Sequence, residues 1–235
     1  MAGIPWSSLA TELLLTALGL GLLLADIALA DPRRKHIVGY LAFVGLLLCL
    51  LPAAGLLTPP DAPETLFAGL YRVDAFHRFF RLLFVLLAAL VTLLSMDYLE
   101  HIRIDRGVYF VLIVFATLAM VLLAGANDLV MIYLSFEYLS IASYVLVGFL
   151  LGRDKKALDE VKRSTEASLK YLIYGAVASA VMLYGFSLMY GLAGSTALVD
   201  VSQVYGLPGN EMIKLVAIAL VMVGMGFKVS AAPFH

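Results

Sequence analysis

Glu137 is the only charged residue between Leu129 and Leu151, a run rich in Leu, Ile, Val, Tyr and Phe. Such a run matches a hydrocarbon core about 30 Å thick, which takes roughly 20 helical residues. A carboxylate at that depth is costly unless it faces protein or water, so it marks a site for proton or ion chemistry. A base stands in a second apolar run: Lys228, just ahead of Ser230-Ala231-Ala232-Pro233. Burial disfavours an ammonium, and a nearby carboxylate restores it. At about 6 Å and an effective dielectric near 20 the Coulomb attraction is roughly 2.8 kcal/mol, about a hundredfold in proton binding. Changing the separation of the pair would therefore switch the lysine between holding and releasing a proton. Lys228 reads as the carrier and Glu137 as its modulator. A static buried pair that only orients helices is the competing reading.

Tyr133, Glu137, Ser140 and Tyr144 follow i, i+4, i+7, i+11 spacing and form one polar stripe. The stripe turns Glu137 toward other helices or a wet cavity. Glu166 and Lys170 are four apart, so a local ion pair competes with any longer-range role for Lys170.

The elements that must position these residues are membrane helices. The chain of 235 residues is 63% hydrophobic and only 14% charged, where soluble domains carry about 25% charge. Its charges are clustered. Apolar segments run from about Ser8 to Ala30, Ile37 to Leu57, Ala75 to Tyr98, Val108 to Ala124, Leu129 to Leu151 and Thr165 to Tyr190, and a seventh starts near Glu211. Ala28-Leu29-Ala30 resembles a signal-peptidase site, but no Lys or Arg precedes the first segment and Arg33, Arg34 and Lys35 follow it, the reverse of a signal peptide.

Pro52 should kink segment 2, and Pro233 should break segment 7 beside Lys228 and free the Val229 carbonyl. Leu66 to Val73, centred on Ala68-Gly69, suggests a small hairpin. His77, Arg78, Arg81 and Lys214 read as headgroup-seeking side chains, and Asp26 as an interfacial one. Asp128 reads as the cap of segment 5, 153–163 as a charged loop, and Gly191 to Asn210 as a polar, Gly-rich loop.

The links after segments 1, 3 and 5 hold Arg33, Arg34, Lys35, Arg103, Arg106, Arg153, Lys155, Lys156, Lys162 and Arg163, against only Arg72 in the links on the other side. Ten against one places the amino terminus outside and the basic links in the cytoplasm. One cysteine, Cys49, makes no disulfide, iron–sulfur or zinc set, and the histidines 36, 77, 101 and 235 never pair at metal-ligand spacing. No G-x-G-x-x-G or G-x-x-x-x-G-K sequence occurs.

Three stretches together resemble a known family: Asn127-Asp128-Leu129 through Phe136-Glu137-Tyr138-Leu139-Ser140, Glu166-Ala167-Ser168-Leu169-Lys170-Tyr171, and Gly224-Met225-Gly226-Phe227-Lys228-Val229-Ser230-Ala231-Ala232-Pro233-Phe234-His235. They are similar to the antiporter-like membrane subunits of respiratory complex I, the proton-translocating NADH:quinone oxidoreductase, and within these to the subunit N form. The resemblance implies an all-α membrane protein with about seven transmembrane helices, the seventh broken near Pro233, as the amino-terminal half of a fourteen-helix fold. Residues 1–74 would be peripheral helices and an outer loop, and 75–235 the start of the translocating repeat.

The resemblance further implies that Glu137, Lys170, Lys228 and His235 belong to a hydrated proton path along the membrane mid-plane. The subunit would hold no redox centre, with NAD, FMN, iron–sulfur clusters and quinone in other subunits. Expected partners are the other membrane subunits of complex I, protons and the lipid bilayer of a bacterial-type inner (plasma) membrane, and no nucleic acid. The family continues past Phe234-His235 with seven further helices, so a fragment or a natural truncation is expected. A cation/proton antiporter of Mrp type, a membrane-bound hydrogenase subunit and a truncated, non-transporting structural protein are the alternatives.

Overall fold

The computed structural model describes residues 6–29, 35–56, 64–99, 105–150 and 155–234. Eight helices and one hairpin follow in order: α1 (Ala10–Ala28), α2 (His36–Ala53), β1 (Glu64–Leu66), β2 (Tyr71–Val73), α3 (Ala75–Tyr98), α4 (Arg106–Gly125), α5 (Leu129–Val147), α6 (Lys155–Ala193), α7 (Leu198–Gly206) and α8 (Glu211–Lys228). Six helices, α1 to α6, are long and apolar enough to cross a membrane. α8 has 18 residues, about 27 Å at 1.5 Å per residue, but carries Glu211, Lys214 and Lys228. Large apolar side chains point outward all along these helices, among them Leu24, Ile27, Leu94 and Val177, a surface suited to lipid and not to water. The chain is an integral membrane protein.

The helices alternate in direction, so the start of α1, the end of α2, the hairpin, the start of α3 and the end of α4 gather at one end. Leu15, Leu22, Val38, Leu46, Val85, Val114 and Val121 form the core shared by α1–α4. A second cluster, with Leu129, Met182, Phe186, Val201 and Val221, joins α5, α6, α7 and α8. α6 and α8 approach closely because small residues face each other: a Cβ on Gly224 would lie 2.8 Å from the Ala178 carbonyl oxygen, and one on Gly185 2.9 Å from that of Ala217. Close backbone approach replaces the hydrophobic drive that is missing between helices in lipid.

The hairpin forms where the sequence suggests, with Glu64 opposite Val73 and Leu66 opposite Tyr71. Phe67, Ala68 and Gly69 all take positive φ in its turn, and only glycine does so without steric cost. Asn127 ties the two helix groups together. Its side chain donates to the Gly69 carbonyl at 2.9 Å, its N–H donates to the Leu70 carbonyl, and its own carbonyl accepts from Leu198. Asp128 then caps α5 by accepting from the Val130 N–H at 2.8 Å.

Several sequence expectations are corrected. Pro52 lies not in the interior of segment 2 but at the end of α2, one residue before the last, Ala53. The basic stretch from Lys155 belongs to α6, which runs 39 residues, about 58 Å, well beyond the thickness of a bilayer. No Gly or Pro interrupts Lys155 to Tyr174, and Ala, Leu, Glu, Lys and Arg there favour helix. The Gly-rich link contains α7, whose Val201 docks into the second cluster. Asp26 is buried and paired with Lys35 at 3.0 Å. Lys214 is buried and donates to the Leu207 carbonyl. His77 and Arg81 are fully or almost fully buried, at 0% and 3% exposure.

At the opposite, basic end Lys35 bridges Asp26 on α1 and both oxygens of Asp105, each at 2.8 Å. Burial works against the Lys35 charge, but hydrogen bonds and charge from Asp105 and Asp26 outweigh it and hold the ammonium above the usual lysine range. A raised folded-state value means that this contribution to stability is complete below about pH 10.4 and is lost as pH climbs through the folded value. The stability difference between the wild type and Lys35→Met, followed by thermal unfolding from pH 7 to 11, should stay constant and then close only above about pH 10. Gly107 makes room for this cluster, since a Cβ there would lie 1.7 Å from Asp26 Oδ1. Gly107→Ala is therefore expected to cost about 1–3 kcal/mol, the usual range for overpacking, read as a lowered unfolding midpoint in detergent.

Candidate functional site

Glu137 lies near the middle of α5, Ser179 on α6 and Lys228 at the last position of α8. The three meet. Lys228 Nζ stands 3.1 Å from Glu137 Oε1 and also donates to Ser140 Oγ. Ser140 Oγ in turn donates to the Phe136 carbonyl at 2.7 Å, so its lone pairs face the ammonium. Ser179 Oγ donates to the same Glu137 oxygen at 2.5 Å. The side chains are 7% exposed for Lys228 and 27% for Glu137. A carboxylate, an ammonium and two hydroxyls thus share one site between three helices. That set can hold a proton and pass it on, because every member except the ammonium has free acceptor capacity.

α8 places the lysine by ending where it does. Ser230 takes a positive φ of 51°. Its N–H bonds the Phe227 carbonyl, and the Ala231 N–H bonds the Gly226 carbonyl at 2.8 Å. This pair of bonds is a Schellman cap, here with serine at the usual glycine position. The helix therefore stops at Lys228, ahead of Pro233, and the break expected at the proline comes five residues earlier. A lysine in the last turn also faces the negative end of the helix dipole. Phe234 folds back over Gly226, where a Cβ would lie 2.9 Å from its ring.

Aromatic rings close the site along the stripe. Tyr144 meets Tyr171 edge-on with centroids 4.8 Å apart, and Tyr171 leans on Phe227 at 6.2 Å. Tyr144 fits because Gly175 is opposite, where a Cβ would lie 2.0 Å from the phenol oxygen. Ser140 and Tyr144 are buried, as the stripe requires.

The four residues singled out in the sequence do not all meet. Glu137 and Lys228 do. Lys170 pairs with Glu166 at 2.5 Å, and both side chains are about two-thirds exposed, at 65% and 63%. Lys170 is thus a partner of Glu166 and not of Glu137. His235 lies outside the described residues. Ser179, not among the residues singled out in the sequence, holds Glu137. Its spacing from Gly175 on the face of α6 that meets α5 was the available signal.

Residues 126–235 match the family model described as NADH:quinone oxidoreductase/Mrp antiporter, transmembrane. The chain is 38% identical over 232 residues to the F(420)H(2) dehydrogenase subunit N of Methanosarcina mazei, covering 97% of this chain and 45% of that protein. It is 39% identical over 225 residues to the NADH-quinone oxidoreductase subunit N of Rhodospirillum rubrum, covering 95% and 44%. Among solved structures it resembles a chain of respiratory complex I from Thermus thermophilus with a TM-score of 0.71 at 32% identity, covering 96% of this chain and 45% of that one. The chain spans about half the length of the relatives that it matches.

Proposed function

We propose, on the premise that the chain belongs to the antiporter-like membrane subunits of the NADH:quinone oxidoreductase/Mrp family, that it is a proton-translocating subunit of a quinone oxidoreductase. Lys228 carries the proton and Glu137 sets how tightly it is held. The observation that carries this reading is the part-buried Lys228–Glu137 contact at 3.1 Å. Opening the pair to about 6 Å would halve the Coulomb attraction that keeps the proton on the lysine, from about 5 to about 3 kcal/mol at an effective dielectric near 20. A small helix movement, or a charge arriving nearby, is enough to do so. Ser179 and Ser140 keep the carboxylate and the lysine oriented between turnovers.

In this reading the chain is a non-redox subunit of a translocase. NAD, FMN, iron–sulfur clusters and quinone belong to other subunits, and the further membrane subunits of the complex are its partners. The names of the relatives support this division: one is a subunit of an F(420)H(2) dehydrogenase and another of an NADH-quinone oxidoreductase, at nearly equal identity. A subunit that takes no part in electron transfer need not change with the donor. Residues 75–235 form the start of the translocating repeat and 1–74 its peripheral flank. The amino terminus faces outward in a bacterial-type plasma membrane, with the basic links in the cytoplasm. Lys35 and Arg106 at one end of the bundle and Arg72 at the other support that orientation. Lys170 and His235 are links toward neighbouring sites, Lys170 from its surface pair with Glu166.

The test is the number of protons moved per electron pair by the complete complex in proteoliposomes. Lys228→Ala and Glu137→Gln should both lower it. Unchanged stoichiometry and rate in both would sink the reading.

A further inference from the structure

Glu12, Tyr71, His77 and Arg81 come from α1, β2 and α3 and meet at the hairpin end, on elements that carry none of Glu137, Ser179 and Lys228. Tyr71 Oη is 2.9 Å from Glu12 Oε1 and 2.9 Å from His77 Nε2. His77 Nε2 is also 3.2 Å from Glu12 Oε1. Arg81 Nη1 approaches Glu12 Oε2 at 3.8 Å. Its two terminal nitrogens donate to the Ser8 and Pro52 carbonyls at 3.1 and 3.3 Å. Each of the four residues is more than nine-tenths buried. Among the described residues, Glu12 Oε2, His77 Nδ1 and Arg81 Nε are buried without a hydrogen-bond partner.

The hydrogens can be placed by elimination. Burial first, then the Glu12 charge, holds the Tyr71 phenol far above the usual tyrosine range, so it keeps its proton. That proton goes to Glu12, the stronger acceptor. The phenol oxygen then accepts, and His77 Nε2 carries the hydrogen that it receives. This leaves Nδ1 as a buried lone pair. Glu12 and Arg81 cancel in charge, so the cluster is neutral with a neutral imidazole and can gain one positive charge beside a carboxylate 3.2 Å away.

We propose that Glu12, Tyr71, His77 and Arg81 form a second proton-binding site, in which His77 Nδ1 takes and returns a proton carried by water. The step forms one N–H bond as one O–H bond of a hydronium ion breaks and releases water, and it needs no other reactant. Among the described residues, the nearby charges are these. Glu64 on β1 accepts from Ser8 at 2.6 Å, Asp74 caps α3 at His77 and pairs with Arg72 at 3.1 Å, and Arg78 follows on α3. Among the described residues, α2 and α4 contribute the Pro52 and Val121 carbonyls. Neither Glu137 nor Lys228 enters, so this site stands or falls apart from the function proposed above.

The test is isotope-edited infrared titration of the full chain in its complex, with ring-labelled histidine. The wild-type minus His77→Gln spectrum isolates the His77 band. One protonation step is expected in a titration run across about pH 5 to 8, the range in which histidine changes charge. Glu12→Gln should lower its midpoint by about one unit or more, a tenfold loss in proton affinity. Tyr71→Phe keeps the ring, and the step should persist with a displaced midpoint. If His77→Gln does not assemble, the histidine component displaced by the other two variants serves instead. A histidine signal that stays constant across this range, or that neither variant displaces, overturns the site and leaves a fixed structural cluster.

Discussion

Lys228→Ala in the complete complex is expected to cut proton translocation at least tenfold while the variant still assembles. Among the described residues the lysine is the only ammonium at the Glu137 site, and it lies at the end of α8, where truncation leaves the Ser230 cap and the α6–α8 packing in place. The loss follows from magnitude. An attraction of about 3–5 kcal/mol is far above the 1.4 kcal/mol that corresponds to a factor of ten. Glu137→Gln is the gentler change, because its amide oxygen can still accept from Ser179. It removes the charge and keeps the shape. Its translocation should fall less than that of Lys228→Ala, and the double variant should be little worse than Lys228→Ala alone, since partners acting as one unit are not additive. Proton uptake per electron pair in proteoliposomes, with the electron-transfer rate measured alongside, separates this from a general loss of complex. Additive losses would mean that the two residues act apart.

Arg81→Met is expected to destabilise the chain by about 3–5 kcal/mol, the cost of leaving a buried charge without its partner. Glu12 would lose the permanent cation 3.8 Å from it, and the Ser8 and Pro52 carbonyls would lose their donors. Two helices and the amino-terminal turn are held at this point, so α1 and α2 should loosen from α3 together. Denaturant or thermal unfolding in detergent gives the number. Adding Glu12→Gln should restore part of the loss, because the unpaired charge is then gone. A variant of wild-type stability, or no recovery in the double variant, would show that the arginine is not paying for a buried acid.

What the sequence determined by itself are the quantities that depend on local order. Apolar runs of about 20 residues fix membrane helices, because an unpaired backbone cannot stay in lipid. The helical spacing fixed the stripe around Glu137 and offered the Glu166–Lys170 pair as one alternative, which the structure then chose, and Asn127-Asp128 fixed the start of α5. A lone acid and a lone base in separate apolar runs were enough to nominate Glu137 and Lys228. Tertiary structure decided which charges face one another. Glu12, Tyr71, His77 and Arg81 sit on three elements up to 69 residues apart in sequence, and His77 and Arg81 alone read as residues near a membrane surface. Antiparallel packing brings their helix ends to one level, where Glu12 and Arg81 become cheaper together than apart. The same holds for Asp26 with Lys35, and for Ser179, whose hydroxyl found its acid only because Gly175 and Tyr144 set the approach of α5 to α6. Pairing across helices depends on the register between them, and no spacing within one helix carries that information.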